Sequence, residues 1–249
     1  MNKSKNNYIF ATILTGVYDV NRNELLEKDS FKLIQQWYDA IVALQLNAIV
    51  FHNTFSEKTI AKYENEYIKF IEVEYDKTFN PNVYRYFIYQ DYLTANSDKI
   101  DHLFITDIAD VEVLQNPFID ELFIQNNDFL FCGDEPKILD NEWMRNHCTH
   151  LRSLIPDFEN YEASNKTKTL LNCGIIGGTI YTMKSLISVI TLLHKTYTIS
   201  NKTPFTLDMG VFNYAARTVF DTKIIHGKPV NTIFKKYETQ RTDCWFRHK

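Results

Sequence analysis

Short apolar runs alternate with segments of helical spacing through the first half of the sequence, and this alternation restricts the fold more than any other feature. The apolar runs predict strands at Tyr8–Thr15, Asn47–His52, Ile68–Val73 and Leu103–Thr106. Apolar positions three and four residues apart predict helices at 31–44, at 56–66 and from Pro81 to about Leu93. Such a βαβαβαβ order predicts a mostly parallel sheet flanked by crossover helices, with ligands bound at the carboxyl ends of strands.

The second half is less regular. Strand-like runs occur at Phe129–Cys132, Leu170–Ile176 and Lys223–His226, and helical patterns occur at Met183–Tyr197 and Asp208–Val219. No internal repeat and no low-complexity linker marks a boundary. We therefore expect residues 1–249 to form a single α/β domain, with a Rossmann-like parallel sheet and a mixed C-terminal half.

Composition excludes several classes of protein. Hydrophobic residues make up 45% and aromatic residues 14% of the 249 residues, which excludes a disordered chain. The formal net charge is −4 and no basic stripe is present, so nucleic acid is not an expected partner. No apolar stretch reaches the roughly 18 residues of a transmembrane helix, and we expect a soluble, cytoplasmic protein. The four cysteines form no Cys-x-x-Cys pair, which favours reduced, buried thiols over zinc or disulfides.

Two carboxylates, Asp107 and Asp110, directly follow the fourth predicted strand. A buried strand that carries paired acids at its carboxyl end can present hard oxygen ligands to a divalent cation. Asp-x-x-Asp is also common in solvated turns with a capping Asp, so the pair alone does not define a site. No Gly-x-x-x-x-Gly-Lys-Ser/Thr loop occurs, and no Gly-x-Gly-x-x-Gly follows the first strand. These absences argue against a P-loop NTPase and a Rossmann dehydrogenase.

Four other segments carry residues suited to ligand binding. They are Thr15–Asp19, Asn172–Gly178, Asp208–Asn213, and the histidines His226 and His248. Each has a purely structural alternative. Thr15–Asp19 could simply be a polar βα turn, and the glycines of Asn172–Gly178 could serve a β-bulge. Asp208 could be a helix cap, and His248 could be a tail residue.

The order of these segments resembles that of the GT-A glycosyltransferases, which use nucleotide-diphosphate sugars as donors. A strand leads to Thr-Asp-x-x-Asp-Val and Asn-Pro-Phe, then to Asn-x-Gly-x-x-Gly-Gly, Asp-x-Gly-x-Phe-Asn, Gly-x-Pro and a final His-Lys. The resemblance extends from Tyr8 to Lys249. The acid pair differs from the usual Asp-x-Asp motif because two residues separate the carboxylates, which leaves open whether Asp107 binds the metal or the ribose.

The resemblance implies a GT-A fold and a divalent cation, Mn²⁺ or Mg²⁺, bound to the donor diphosphate. Asp107 and Asp110 would hold this cation together with a histidine. We prefer His248 as the third ligand, because a neutral imidazole binds metal while Lys249 supplies charge toward the phosphates. His226, in a His-Gly-Lys-Pro segment that resembles one found in some retaining members, is the alternative.

Further site residues complete the expected donor site. The resemblance implies that Asn172 and Gly174 contact the donor sugar and that Asp208 lies near the sugar and the acceptor. From their positions, Thr15 and Asp19 would meet the base or ribose. Arg85, on the helix that begins at Pro81, would bind the diphosphate or form a surface ion pair. The nucleotide-binding half would comprise about 1–115, and the acceptor and catalytic half about 116–249.

These features together predict a metal-dependent glycosyltransferase that moves a sugar from a UDP- or GDP-sugar to an acceptor hydroxyl. The acceptor could be a glycan, a protein or a small molecule. The His-Gly-Lys-Pro likeness favours retention of the anomeric configuration. One alternative is a catalytically inactive domain that binds nucleotide-sugars. Another is a sugar nucleotidyltransferase, although the segment from Gly16 to Arg22 matches its Gly-rich basic loop poorly.

Overall fold

A computed structural model describes residues 6–19, 24–77, 79–199 and 207–249. The strands are β1 (Asn7–Ile13), β2 (Tyr18–Asp19), β3 (Glu24–Leu25), β4 (Asn47–His52), β5 (Ile68–Glu72), β6 (His102–Thr106), β7 (Val111–Val113), β8 (Leu130–Ile138), β9 (Thr169–Thr179), β10 (Ile224–His226) and β11 (Phe246–His248). The helices are α1 (Gln35–Ala43), α2 (Glu57–Tyr63), α3 (Pro81–Asn96), α4 (Glu121–Gln125), α5 (Glu142–His147), α6 (Thr149–Leu154), α7 (Phe158–Asn165), α8 (Ile180–Leu193) and α9 (Asp208–Phe220). Short 3-10 turns occupy Phe31–Ile34, Ser97–Lys99, Pro117–Ile119 and Asp221–Lys223, and a π-helical turn occupies His194–Ile199.

Seven strands form one central sheet in the order β10-β8-β9-β6-β1-β4-β5. All are parallel except β9, which runs antiparallel to both of its neighbours. This arrangement confirms the predicted α/β class and the mostly parallel sheet. Strands from both halves of the sequence belong to this sheet.

The strand order locates the topological switch point of the sheet. From β1 the chain adds β4 and β5 on one side and then crosses to add β6 on the other. Between β1 and β6 the connections therefore leave in opposite directions, and such a switch point opens a crevice at the carboxyl ends of the strands. Thr15 follows β1 and Asp107 follows β6, so both lie at this edge.

Each face of the sheet carries its own hydrophobic core. In β1, Phe10 packs into the core that contains α3, α8 and α9, whereas Ile9 and Ala11 pack into the core on the side of α1. A parallel sheet covered on both faces requires apolar side chains in both directions. This requirement explains why the first-half strands are continuous apolar runs rather than alternating ones.

The starts of two helices agree with the sequence patterns. The Ser56 side chain caps α2 by accepting a hydrogen bond from Thr59 N, and Asn80 caps α3 with Pro81 in the first turn. Asp29 and Ser30, which the sequence offers as caps before Phe31, do not serve as such: Ser30 is at the N-cap position of the turn at Phe31–Ile34, but its side chain makes no capping hydrogen bond. The carboxylate of Asp29 instead accepts a hydrogen bond from Ser56 N at 2.8 Å, at the start of α2.

A small second sheet was not predicted from the sequence. In it, β11 pairs antiparallel with β7, with His248 opposite Val111. The backbone N–H of Lys249 also donates to Asp110 O at 2.9 Å. The last residues of the sequence are thereby held beside the segment that follows the acid pair.

All four cysteines are free and buried, as the sequence predicts. Among the described residues, no helix combines the length and the apolar character needed to cross a bilayer.

Candidate metal centre

Asp107, Asp110 and His248 come together at the carboxyl edge of the central sheet, and we call these three residues the metal centre. Each offers one ligand atom, and these atoms all lie within 4.8 Å of one another. Asp107 is positioned by β6, and its backbone N–H donates to Gly174 O at 2.8 Å. The pairing of β11 with β7 brings His248 to the two acids.

Gly174 makes room for the metal centre. A Cβ at this position would lie 2.5 Å from His248 Cε1 and 2.7 Å from Asp107 Oδ2, closer than real Cβ contacts allow. The register between β8 and β9 also shifts here, because Cys132 pairs with Ile176 whereas Gly133 pairs with Asn172. The glycine therefore lies at an irregularity in the β8–β9 register, as the β-bulge alternative predicts, and beside His248 and Asp107.

The two oxygens of the Asp107 carboxylate have different neighbours. Oδ1 accepts a hydrogen bond from the guanidinium of Arg85, while Oδ2 lies 4.0 Å from His248 Nε2. The Asp107 side chain is 31% exposed, whereas that of Arg85 is only 7% exposed. Arg85 is thus a buried cation that orients the carboxylate, and the expected surface ion pair is excluded as its role.

His248 is suited to act as a neutral ligand. Its side chain is almost fully buried, and burial lowers the pKa of the imidazole to about 4; the Asp107 carboxylate opposes this shift, and the charge of Arg85 adds to it. The ring of Phe234 packs edge-on against it at a centroid distance of 4.5 Å. A neutral imidazole with Nε2 directed at a carboxylate oxygen can donate a lone pair to a cation held between them.

The chemistry of these residues fits a hard divalent cation. Carboxylate oxygens suit Mg²⁺ and Mn²⁺, and imidazole is a common ligand of transition metals, so the mixed set fits Mn²⁺ well. Three protein ligands would leave coordination positions for the oxygens of a substrate. Asp107 and Asp110 are both half-buried, which keeps the centre open to solvent on one side.

Beside the metal centre lies a second polar group, which we call the Asp208 cluster: Arg85, Cys173, Asp208 and His147. Arg85 donates through Nη2 to Cys173 O at 3.1 Å, and the Cys173 thiol donates to Asp208 Oδ2 at 3.6 Å. Asp208 begins α9, as the sequence predicts. It is buried and the N-cap position belongs to Leu207, so its carboxylate faces the protein interior instead of capping the helix.

His147 belongs to the Asp208 cluster and was not identified from the sequence. Its Nε2 is buried, lacks a hydrogen-bond partner within the described structure, and lies 4.0 Å from Asp208 Oδ1. The imidazole stacks on Trp143 with a centroid distance of 4.7 Å. Burial lowers the pKa of His147, partly opposed by Asp208 and a hydrogen bond to the Leu207 backbone. Leu207 has a left-handed backbone, with φ of 49°, and such strain often occurs near functional sites.

One signal in the sequence indicates close helix packing beside Asp208, although it does not identify His147. Gly210 lies two residues after Asp208, and a Cβ there would meet Leu151 Cδ1 at 2.5 Å and Cys148 Sγ at 2.9 Å. The glycine in Asp-x-Gly therefore permits close packing of α9 on the helices that follow β8. Which residues of those helices approach it depends on the tertiary structure.

Three other residues predicted to contact the donor, Asn172, Thr15 and Asp19, lie on different elements of the fold. Asn172 is buried, accepts a hydrogen bond from Gly174 N at 2.7 Å and donates to Glu135 Oε1 at 3.0 Å. Thr15 is buried, and its backbone N–H donates to Asn53 Oδ1 at 2.9 Å. Asp19 ends β2, but its side chain lies outside the described part of the structure.

The two remaining candidates lie apart from the ligand atoms of the metal centre. Lys249 donates to Gln36 Oε1 on α1. His226 hydrogen-bonds Asp134 Oδ2 at 2.9 Å, and Gly227 allows this contact because a Cβ there would lie 2.8 Å from the same oxygen. In the described residues, His248 and not His226 joins the two acids.

Comparison with protein-family models gave no matching family, and comparison with curated protein sequences gave no significant similarity.

Proposed function

We propose that this chain is a metal-dependent glycosyltransferase of the GT-A type. It would transfer a sugar from a nucleotide-diphosphate sugar, with UDP or GDP as the nucleotide, to an acceptor hydroxyl. The resident cation would be Mn²⁺ or Mg²⁺. In this proposal, residues of about 1–115 bind the nucleotide and residues of about 116–249 contribute the acceptor site and Asp208.

The observation that carries the proposal is the meeting of Asp107, Asp110 and His248 within 4.8 Å. Two acids and an imidazole with few cations among them would repel a bare diphosphate but would attract a metal–diphosphate complex. Their position also supports the proposal, since the crevice at the switch point of a parallel sheet is where such folds bind nucleotides.

The residues of the site divide the chemistry among them. Asp107, Asp110 and His248 would hold the cation, and Arg85 orients Asp107 by binding its Oδ1. A bound divalent cation supplies Lewis-acid stabilisation to the departing diphosphate. Lys249 would add positive charge near the phosphates after exchanging its hydrogen bond with Gln36.

In the transfer step, the acceptor hydroxyl oxygen forms a bond to the anomeric carbon of the donor sugar. The bond from that carbon to the diphosphate oxygen breaks, and its electron pair leaves with the nucleoside diphosphate. If the enzyme inverts, the carboxylate of Asp208 takes the hydroxyl proton as a general base. If it retains, which the His-Gly-Lys-Pro likeness favours, Asp208 orients the sugar and the departing phosphate takes the proton.

The test is donor hydrolysis with a panel of UDP- and GDP-sugars, with Mn²⁺ and with EDTA. Glycosyltransferases hydrolyse their donors slowly when no acceptor is present, so we expect release of nucleoside diphosphate from at least one donor with Mn²⁺ alone. Asp110→Asn should abolish this release because it removes a ligand charge. Asp91→Asn, at an exposed position of α3, is the matched control and should retain it.

Other results would favour the alternatives. Thermal stabilisation by a donor and Mn²⁺ without any hydrolysis would indicate an inactive binding domain. Formation of a nucleotide-sugar from a nucleoside triphosphate and a sugar phosphate would indicate a nucleotidyltransferase. Donor hydrolysis that survives both EDTA and Asp110→Asn would contradict the proposal.

A further inference from the structure

A broad groove runs between the second part of β8 and residues 227–241, a segment that we call the strap. Its volume is about 690 Å³, which lies in the range of roughly 300–1,000 Å³ typical of small-molecule sites. Polar residues line it from both sides, among them Asp134, Glu135 and Lys137 from β8, and Lys228, Thr232 and Arg241 from the strap.

The groove adjoins the metal centre through hydrogen bonds at two points. Thr232, in the strap, accepts a hydrogen bond from the His248 backbone N–H at 3.3 Å. On the opposite side, Glu135 accepts from Asn172 Nδ2 at 3.0 Å, and Asn172 in turn accepts from Gly174 N at 2.7 Å. A ligand in this groove would therefore lie next to residues that adjoin the metal centre.

The acidic residues of the groove already interact with basic or hydrogen-bond-donating side chains of the same chain. Asp134 Oδ2 pairs with His226 Nδ1 at 2.9 Å. Glu135 Oε1 accepts from Asn172, and its Oε2 lies 3.9 Å from Lys137 Nζ. Neither carboxylate is left as an isolated charge that would select a cationic ligand.

The two basic strap residues that line the groove, Lys228 and Arg241, are also held in ion pairs. Lys228 and Arg241 both form ion pairs with Asp243, and Arg241 also pairs with Glu238 at 3.2 Å. A groove that bound an anion would leave such cations available to it. Because these charges are satisfied within the chain, the lining favours a neutral ligand with many hydroxyl groups.

The strap is held in place, so the groove exists without a ligand. Asn231 Nδ2 donates to Asp134 O at 3.1 Å at one end of the strap. At the other end, Arg247 Nη2 donates to Thr239 O at 2.9 Å and to Arg241 O at 3.1 Å. Binding to a preformed site costs less conformational entropy than ordering a loose loop.

We propose that this groove binds the acceptor and that the acceptor is a neutral saccharide. Glu135, which is buried and connects the groove to Asn172, accepts a hydrogen bond from an acceptor hydroxyl at the end nearest the metal centre. The assignment as an acceptor site rests on the proposed glycosyl transfer. The binding of a neutral saccharide to the groove does not, and it can be measured separately.

The experiment is saturation-transfer difference NMR on the full chain with maltose, lactose and cellobiose, with and without Mn²⁺. Inorganic phosphate and glucuronate serve as charged probes in parallel measurements. Ile233→Trp fills the groove from the strap, where Ile233 is 42% exposed, and Glu135→Gln removes the charge while keeping the shape. Leu192→Trp, at a position of α8 that is 63% exposed and outside the groove lining, is the matched control.

We expect at least one neutral disaccharide to bind the wild type and the Leu192→Trp variant equally. Ile233→Trp should weaken this binding about tenfold or more, which equals about 1.4 kcal/mol, and Glu135→Gln should weaken it less. Circular dichroism would establish that each variant is folded. Absence of disaccharide binding, equal binding by Ile233→Trp, or preferential binding of phosphate or glucuronate would overturn the proposal.

The two proposals fail in different ways. Donor hydrolysis without any saccharide binding would contradict the groove assignment, while the proposed glycosyltransferase activity would stand. The opposite result would be a protein that hydrolyses no donor but binds saccharide, both as wild type and as Asp110→Asn. That result would support the saccharide groove and contradict the proposed glycosyltransferase activity.

Discussion

The metal centre and the Asp208 cluster are neighbours that share Arg85 as a connection, yet their polar groups are arranged in opposite ways. The metal centre gathers two carboxylates and an imidazole, and the Asp107 side chain is 31% exposed. The Asp208 cluster alternates donors and acceptors, and the Asp208 side chain is only 9% exposed. The first arrangement has more carboxylates than cations, even with Arg85 bound to Asp107, and suits a cation, whereas the second is largely satisfied by its own residues.

This difference predicts separate consequences for mutations in the two regions. Changes in the metal centre should alter cation binding with little effect on stability. Changes in the Asp208 cluster should alter stability or turnover and leave cation binding intact. Arg85 alone should affect both.

Arg85→Met should have the largest effect on stability. The substitution leaves Asp107 Oδ1 and Cys173 O without their donor; because Asp107 is 31% exposed, we expect a loss of about 3 kcal/mol, the lower end of the cost of breaking a buried pair. Urea denaturation measures this loss. Arg145→Met, which breaks an exposed ion pair with Asp140, is the control and should cost at most about 1 kcal/mol. Similar losses in the two variants would refute the idea that Arg85 is a buried structural cation.

Mn²⁺ should stabilise the wild type by a smaller amount. At a concentration about 100 times its Kd, a ligand that binds only the folded state adds about 2.7 kcal/mol. EDTA should reverse this gain, and Asp110→Asn and His248→Gln should abolish it because each removes a ligand. Asp208→Asn should retain the full gain. If Mn²⁺ stabilised Asp110→Asn but not Asp208→Asn, the cation would have to bind at the Asp208 cluster and not at the metal centre.

The glycines of the two regions offer a matched pair of substitutions. Gly174→Ala places a methyl group against His248 and Asp107, and Gly210→Ala places one against Leu151 and Cys148. Both should destabilise the fold by about 1–3 kcal/mol through overpacking. Only Gly174→Ala should also remove Mn²⁺ binding, which isothermal titration calorimetry would measure. Equal Mn²⁺ affinity in the two variants would contradict the separation of the regions.

Asp208→Asn should have the smallest effect on stability, because an amide occupies the same space and still accepts a hydrogen bond from Cys173. Its effect should fall on turnover. A general base contributes about 10²–10⁴-fold to a rate, so donor-to-acceptor transfer should fall within that range if the enzyme inverts. Single-turnover kinetics with Mn²⁺ present measure this, and Asp91→Asn supplies the control. An unchanged rate would exclude Asp208 from the reaction.

Several features of the site could be predicted because they are local. Asp107 and Asp110 follow a run whose apolar character requires a buried strand, so their place at the edge of the sheet follows from the pattern. The glycines of Asn172–Gly178 were offered as residues of a β-bulge, and Gly174 does lie at a shift in the β8–β9 register, beside His248 and Asp107. Asp208 was expected at a helix start, and α9 begins there.

Other features could not be predicted because they depend on contacts between distant segments. His147 lies near Asp208 because the helices after β8 pack on α9, where Gly210 leaves room for Leu151 and Cys148. The choice between His226 and His248 was likewise open. Both are histidines near the end of the sequence, and their surroundings differ only in the folded chain, where Asp134 pairs with His226.

The sequence by itself determined the order and type of the main strands and helices, since hydrophobic periodicity reflects which face of each element is buried. It also determined that acids follow the fourth strand of the parallel sheet. The tertiary structure decided that β11 pairs with β7 and so carries His248 to Asp107 and Asp110. Pairing between segments so far apart depends on the packing of the whole chain, and no local pattern of residues encodes it.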